Sequence, residues 1–113
     1  VTFDLPWPPS VNRYWRKWNN RMVISNEGRA YRDLVAQQLL GQATRRDCPM
    51  VVVIEAYRPD RRKRDLDNLL KAVLDSLTYA GVWSDDSVVV DLRVYWATEM
   101  GGKLKVTVSE KER

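Results

Sequence analysis

Apolar residues recur along this chain in two periods, and each change of period marks an element. Residues 2–5 predict a short strand, after which Pro6, Pro8 and Pro9 stop regular pairing and force an extended path. Residues 14–18 and 21–24 flank Asn19-Asn20; asparagine tolerates positive φ, so the pair predicts a β-hairpin turn. Ser25 is a candidate N-cap. Beyond it Tyr31, Leu34, Val35 and Leu39 recur at helical spacing, a helix of about three to four turns, with Gly41 near its end.

The second half repeats the change of period. Residues 50–57 are β-branched and compact, which predicts a strand ended by Pro59. The basic run 61–64 reads as extended or looped. Leu66, Leu69, Leu70, Val73, Leu74 and Leu77 then form one face of an α-helix, with Asp65 at the N-cap position and Gly81 as the stop. Val88, Val90, Leu92, Val94 and Trp96 alternate with Val89, Asp91, Arg93 and Tyr95, the period of a strand. After the Gly101-Gly102 turn, Leu104, Val106 and Val108 alternate with Lys and Thr, so the last two strands predict an antiparallel hairpin. The order β, hairpin, α, β, α, β, β predicts an α+β fold with two main helices on one mixed sheet. A chain of 113 residues supports one core, hence a single domain over residues 1–113.

Composition narrows the chemistry. The chain has no histidine, which excludes Ser-His-Asp catalysis, histidine acid–base work and the usual zinc sites. Proton chemistry is left to carboxylates, Lys, Tyr or water activated by a metal. Cys48 is alone, so no intrachain disulfide forms; a small apolar filler in a reducing, cytoplasmic setting is expected. No apolar run approaches the roughly 20 residues of a membrane span, and residues 1–9 are too short and polar for a signal peptide.

Charge matters through its distribution. Lys and Arg number 19 against 15 Asp and Glu, a net charge of only +4. Yet Arg58, Arg61, Arg62, Lys63 and Arg64 fall within seven positions, and Arg13, Arg16, Lys17 and Arg21 form a second group. Both suit a polyanion, although a charge run alone is more often a solvated face. Trp7, Tyr14, Trp15 and Trp18 sit among the second group, and such interleaving can stack on splayed bases. Trp7, Trp83 and Trp96 are expected in the core, while Trp15 and Trp18 stay open between core and surface.

The acidic residues carry the sharpest pattern. Arg64-Asp65-Leu66-Asp67-Asn68 places two carboxylates one residue apart at a strand-to-helix junction, and Lys71 and Asp75 continue the helix face that starts at Asp67. Asp85-Asp86 stand just before a strand. If that strand pairs beside residues 50–57, the loop folds back toward Asp65 and Asp67, and three carboxylates make an oxygen-only site suited to Mg²⁺ or Mn²⁺. Plainer roles compete: Asp65 as an N-cap, Asp67–Lys71 as a surface pair, Asp85-Asp86 as a turn.

The assembled motifs resemble the RusA family of Holliday-junction resolvases, found in bacteria and their prophages. The resemblance runs from Leu5-Pro-Trp-Pro-Pro-Ser10 and Asn12-Arg13-Tyr14, through Ser25, Glu27-Gly28 and Ala30-Tyr31-Arg32-Asp33. Its most specific part is Pro59-Asp-Arg-Arg-Lys-Arg-Asp-Leu-Asp-Asn68, followed by Lys71-Ala72, Asp75, Leu77, Ala80-Gly81, Trp83 and Asp85-Asp86. Val11, Trp15 and residues 17–22 depart from it, which bears on the sequence preferred at the cut. The resemblance implies a RusA-like homodimer that cuts four-way DNA junctions with Mg²⁺, Mn²⁺ substituting. It implies Asp65, Asp67 and Asp86 as catalytic metal ligands, Lys71 as the functional lysine, and Asp85 and Asp75 as possible further acids. DNA contacts are expected from Arg13, Arg16, Lys17, Arg61, Arg62, Lys63, Arg64 and Asn68. Three rival readings are a non-catalytic junction-binding module, a nuclease acting mainly on flaps and forks, and a protein-interaction domain that uses its aromatic face.

Overall fold

The computed structural model describes residues 1–42 and 44–112. Strand β1 (Thr2–Pro6) leads through the proline segment to a one-turn helix α1 (Val11–Tyr14), then to the hairpin β2 (Trp15–Trp18) and β3 (Arg21–Ile24). Asn19 and Asn20 both take positive φ, 48° and 59°, as a two-residue hairpin turn requires. Helix α2 (Asn26–Gln38) starts at Ser25, whose side chain accepts a hydrogen bond from the Gly28 N–H. Strand β4 (Met50–Tyr57) follows; a 3₁₀ turn (Leu66–Leu69) opens helix α3 (Leu70–Tyr79), and a second 3₁₀ turn (Asp86–Val88) opens β5 (Val89–Trp96), with β6 (Lys103–Glu110) last. These elements form the α+β arrangement with two main helices; α1 is the element that hydropathy did not announce.

The main sheet has the order β1-β6-β4-β5 and is mixed. One face carries Phe3, Leu5, Val52, Ile54, Ala56, Leu104, Val106 and Val108, all buried. Against it pack Tyr31 and Val35 of α2, Leu39 just past its end, and Ala72, Val73 and Leu77 of α3. Each aliphatic side chain so buried contributes about 1.5–3 kcal/mol. Leu34, counted with the apolar face of α2, is 51 % exposed.

The expected hairpin of the last two strands does not form. β5 pairs parallel to β4, and β6 pairs antiparallel to β4 on its other side. Residues 97–102 instead cross the end of β4, where Ala97 N–H donates to Ala56 O and Gly101 N–H donates to Arg58 O. The physical reason lies in β4. Its alternate residues Met50, Val52, Ile54 and Ala56 are fully buried, and it takes the sheet interior with both edges paired. β5, with Asp91 and Arg93 among its outward positions, takes the edge, where charged side chains are tolerated.

Helix α2 meets α1 at one demanding contact. A Cβ placed on Gly28 would lie 2.5 Å from the Tyr14 carbonyl oxygen and 2.8 Å from Ile24 Cγ1. That carbonyl also accepts the Ser25 N–H (2.9 Å) and the Ser25 hydroxyl (3.0 Å), so it cannot retreat freely. Gly28→Ala is expected to lower stability by about 1–3 kcal/mol through overpacking. The check is a urea titration, in which the midpoint falls while the slope stays the same.

Candidate functional site

The carboxylate pair lies where chain leaves β4 and enters α3. Asp65 occupies the N-cap position with an extended backbone (φ −92°, ψ 134°), but its side chain makes no capping hydrogen bond. The following residues wind as a 3₁₀ turn, tighter than an α-helix, so Asp67 and Lys71 do not share the regular α-helical phase. Asp65, Asp67 and Lys71 are exposed, and none forms a salt bridge among the described residues. The plainer roles of cap and surface ion pair are therefore not taken up.

Asp65 and Asn68 line a groove of about 900 Å³ together with Trp7, Arg13 and residues 62–64. Its lining thus brings cations beside the unpaired Asp65 carboxylate, with Glu27 as the other acid. Arg61, Arg62 and Lys63 are exposed, whereas Arg64 is half-buried. Asp60 separates their roles. Its carboxylate binds Arg64 Nη1 at 2.6 Å and accepts the Arg62 N–H at 3.0 Å, and these partners hold its carboxyl down to about 2. The tie is intact above the ordinary carboxylate range and is lost only as pH falls toward about 2. Arg64 thus anchors the loop, leaving Arg61 and Lys63 as charges with no carboxylate partner among the described residues.

The loop is also held by aromatic rings. Trp7 stacks on Trp96 with centroids 6.2 Å apart, Arg58 lies over Trp96 at 4.2 Å, and Arg64 lies over Trp7 at 5.7 Å. The cation–aromatic–aromatic–cation column fixes both ends of the basic segment. Trp7 and Trp96 are half-buried parts of this column rather than deep core, while Trp83 is buried as expected. No local signal announces the column, since its rings come from distant segments.

Asp75 does not stand in an open row with Asp67 and Lys71. The buried Tyr14 hydroxyl donates to Asp75 Oδ2, and Arg32 approaches the same oxygen at 3.9 Å while lying 4.3 Å over the Tyr79 ring. Burial, with the adjoining carboxylate, holds the Tyr14 phenol well above its usual range. This group ties α1, α2 and α3 together behind the carboxylate pair.

Asp85 and Asp86 are exposed and lie before the N-terminal end of β5. The preceding residue is fastened to the chain before β4: Asp47 accepts the Ser84 N–H at 2.8 Å and its hydroxyl at 2.9 Å. Because β5 runs parallel to β4, with Met50 opposite Val89 and Ala56 opposite Trp96, the two acidic groups sit at opposite ends of the β4-α3-β5 unit. The separation along the strands is on the order of 20 Å. The expected folding-back of this loop onto Asp65 and Asp67 does not occur within the chain, and among the described residues no three acidic, Cys or His side chains group as a cation site. Arg13 reaches the groove wall but pairs with Glu27 at 3.5 Å, and Arg16 and Lys17 stand on the exposed hairpin.

The family model described as Endodeoxyribonuclease RusA matches residues 6–109. A crossover junction endodeoxyribonuclease of Enterobacteria phage 82 is 50% identical over 109 residues, covering 94% of this chain and 91% of the relative. The enzymes of that name from Escherichia coli strain K12 and from Shigella sonnei strain Ss046 are each 49% identical over 116 residues, covering 96% of this chain and 93% of theirs. With a carboxylate pair beside a cationic groove and a match along nearly its whole length, the chain belongs to the endodeoxyribonuclease RusA family.

Proposed function

We propose that this protein is a crossover junction endodeoxyribonuclease, which resolves four-way DNA junctions by paired nicks as a homodimer and requires Mg²⁺. The observation that carries this reading is Asp65, which lines a groove with residues 62–64 and has Asp67 two residues on, neither carboxylate in a salt bridge among the described residues. An oxygen-only donor set suits Mg²⁺, with Mn²⁺ as a substitute. When bound, the cation activates water and offsets charge on the phosphate. Arg61 and Lys63 grip flanking backbone, which gives affinity without reading sequence. Lys71, exposed in the first turn of α3, would meet an oxygen of that phosphate. No helix among the described residues is long and apolar enough to cross a membrane, and the DNA substrate assigns the work to the cytoplasm of a bacterial cell.

Asp86 enters through the dimer. Its position at the far end of β5 keeps it from its own chain's pair, but an antiparallel two-fold arrangement inverts the ends. Asp86 of the partner subunit then stands beside Asp65 and Asp67. The free edge of β5 and its exposed Val90, Leu92 and Tyr95 support this surface. Two equivalent sites result, as two symmetric nicks require.

Two experiments test the reading. A synthetic four-way junction is expected to be cut into nicked duplexes with Mg²⁺ and left whole without it; cutting of linear duplex at the same rate would sink the junction assignment. Next, Asp67→Asn and Asp86→Asn proteins, each inactive alone, are mixed so that subunits exchange. With shared sites, a mixed dimer keeps one intact centre and nicking returns at about a quarter of the normal site concentration. Mixtures that stay dead would place all three carboxylates within one chain or remove Asp86 from the metal.

A further inference from the structure

One element lines neither the groove nor the carboxylate pair and meets the core only at its base. The β2–β3 hairpin forms its own two-stranded sheet and joins the body chiefly through α1. Its base is half-buried at Trp15, Val23 and Ile24, and its outer part is exposed. Register pairs Arg16 with Val23, Lys17 with Met22 and Trp18 with Arg21. Alternation puts Arg16, Trp18 and Arg21 on one face of the ribbon. The tight Asn19-Asn20 turn closes the strands immediately beyond Trp18 and sets that face rigidly.

Trp18 is 50 % exposed, and it is the tryptophan with the most open ring. Trp7 and Trp96 are covered by each other and by arginines, Trp83 is buried, and Trp15 stands next to Tyr14, whose ring meets it edge-on. Among the described residues no ring or cation covers Trp18. A two-residue turn needs no indole beside it, and the ring stands open to a partner that can stack on it.

Charge identifies that occupant. No acidic residue occurs between Asp4 and Glu27, a stretch that holds Arg13, Arg16, Lys17 and Arg21. Glu27 takes Arg13, which leaves Arg16, Lys17 and Arg21 without carboxylate partners among the described residues. An open indole between two guanidinium groups matches a polyanion with accessible π-faces. Duplex DNA offers the charge but hides its base faces in the stack. A four-way junction held open offers both, because the bases at the branch point then lose their neighbour on one side. The hairpin grows from α1, and Arg13 of that helix lines the groove that holds Asp65. The arm therefore rises from the rim of the cleavage groove.

We propose that the β2–β3 hairpin is a branch-point arm, on which Trp18 stacks against a terminal base of the junction while Arg16 and Arg21 hold the phosphates beside it. This rests on the junction substrate and adds how the branch itself is felt: the arm contributes to junction affinity and little to duplex affinity.

The test is a double-mutant cycle between protein and DNA, read by equilibrium binding in the cleavage-dead Asp67→Asn protein. Trp18→Ala in that background is expected to weaken binding to a four-way junction by about 5- to 100-fold, the scale of one lost base–aromatic stack. Binding to duplex of equal length is expected to change less than about twofold, since duplex affinity is mainly phosphate contact. Trp18→Phe keeps a ring and is expected to recover most of the loss. With abasic sites at the branch point, the parent should lose the same factor, and Trp18→Ala should add nothing further. Equal losses on junction and duplex, or a full Trp18→Ala effect on the abasic junction, would overturn the stacking role. A fall in sedimenting mass for Trp18→Ala would also overturn it and reassign the ring to the contact between copies. A parent protein that does not prefer junction over duplex removes the substrate reading itself, and the arm with it.

Discussion

Asp67→Asn is expected to reduce junction cleavage by at least about 10²- to 10³-fold, the scale of losing a group that supports charge in the transition state. Junction binding in the same protein is expected to persist or tighten. The substitution is nearly isosteric, and Asp67 is exposed with no salt-bridge partner in the described chain, so the fold does not depend on its charge. Removing one negative charge beside bound phosphate favours association. The measurements are gel-resolved cleavage rates with Mg²⁺ and equilibrium binding without it. Cleavage within about tenfold of the parent would remove Asp67 from the catalytic centre.

Lys71→Ala is expected to slow turnover by about 10²-fold while costing little affinity or stability. Lys71 lies in the first turn of α3, a few residues past the carboxylate pair, and is exposed. Asp75, the carboxylate one turn further on, is occupied by Tyr14 and Arg32. Lys71 has no carboxylate partner among the described residues, so it is available to a phosphate held at the Asp65–Asp67 pair. A surface lysine with only solvent for company contributes well under about 1 kcal/mol to stability. Single-turnover rates with saturating enzyme separate its effect on chemistry from binding. A near-normal rate would return Lys71 to the surface.

Local elements were legible to the degree that their physics is local. The asparagine pair specifies its turn through φ, and Ser25 caps α2 through a hydrogen bond three residues long in sequence. The leucine face of α3 announces a helix because six aliphatic residues keep one side. Its first turn is nonetheless 3₁₀, in a segment rich in Asp and Asn, whose side chains compete with helical backbone bonding. What stayed hidden depends on partners far apart in sequence. Gly101-Gly102 reads as a hairpin turn, yet the connection it ends spans the tip of β4, because that strand's buried alternation claims both neighbours. The same choice decides the site. Antiparallel or parallel pairing of β5 determines which end of the molecule receives Asp86, and nothing in residues 85–96 encodes that direction. The Trp7–Trp96 stack and the Tyr14–Asp75–Arg32 group likewise join segments with no shared local pattern.

The place of β6 has a consequence for how the protein comes into being. β6 lies between β1 and β4 and bonds to both, so β1 can join the sheet only after β6 has been made. Until it has left the ribosome, β1 has no sheet partner and one edge of β4 lies open. Closing the sheet is therefore governed by contacts of long sequence separation, which form slowly. A ribosome-stalled chain ending before Lys103 should be digested readily by protease, while one that exposes residues through Glu110 resists. A nuclease built this way has no complete sheet to carry its site until β6 docks.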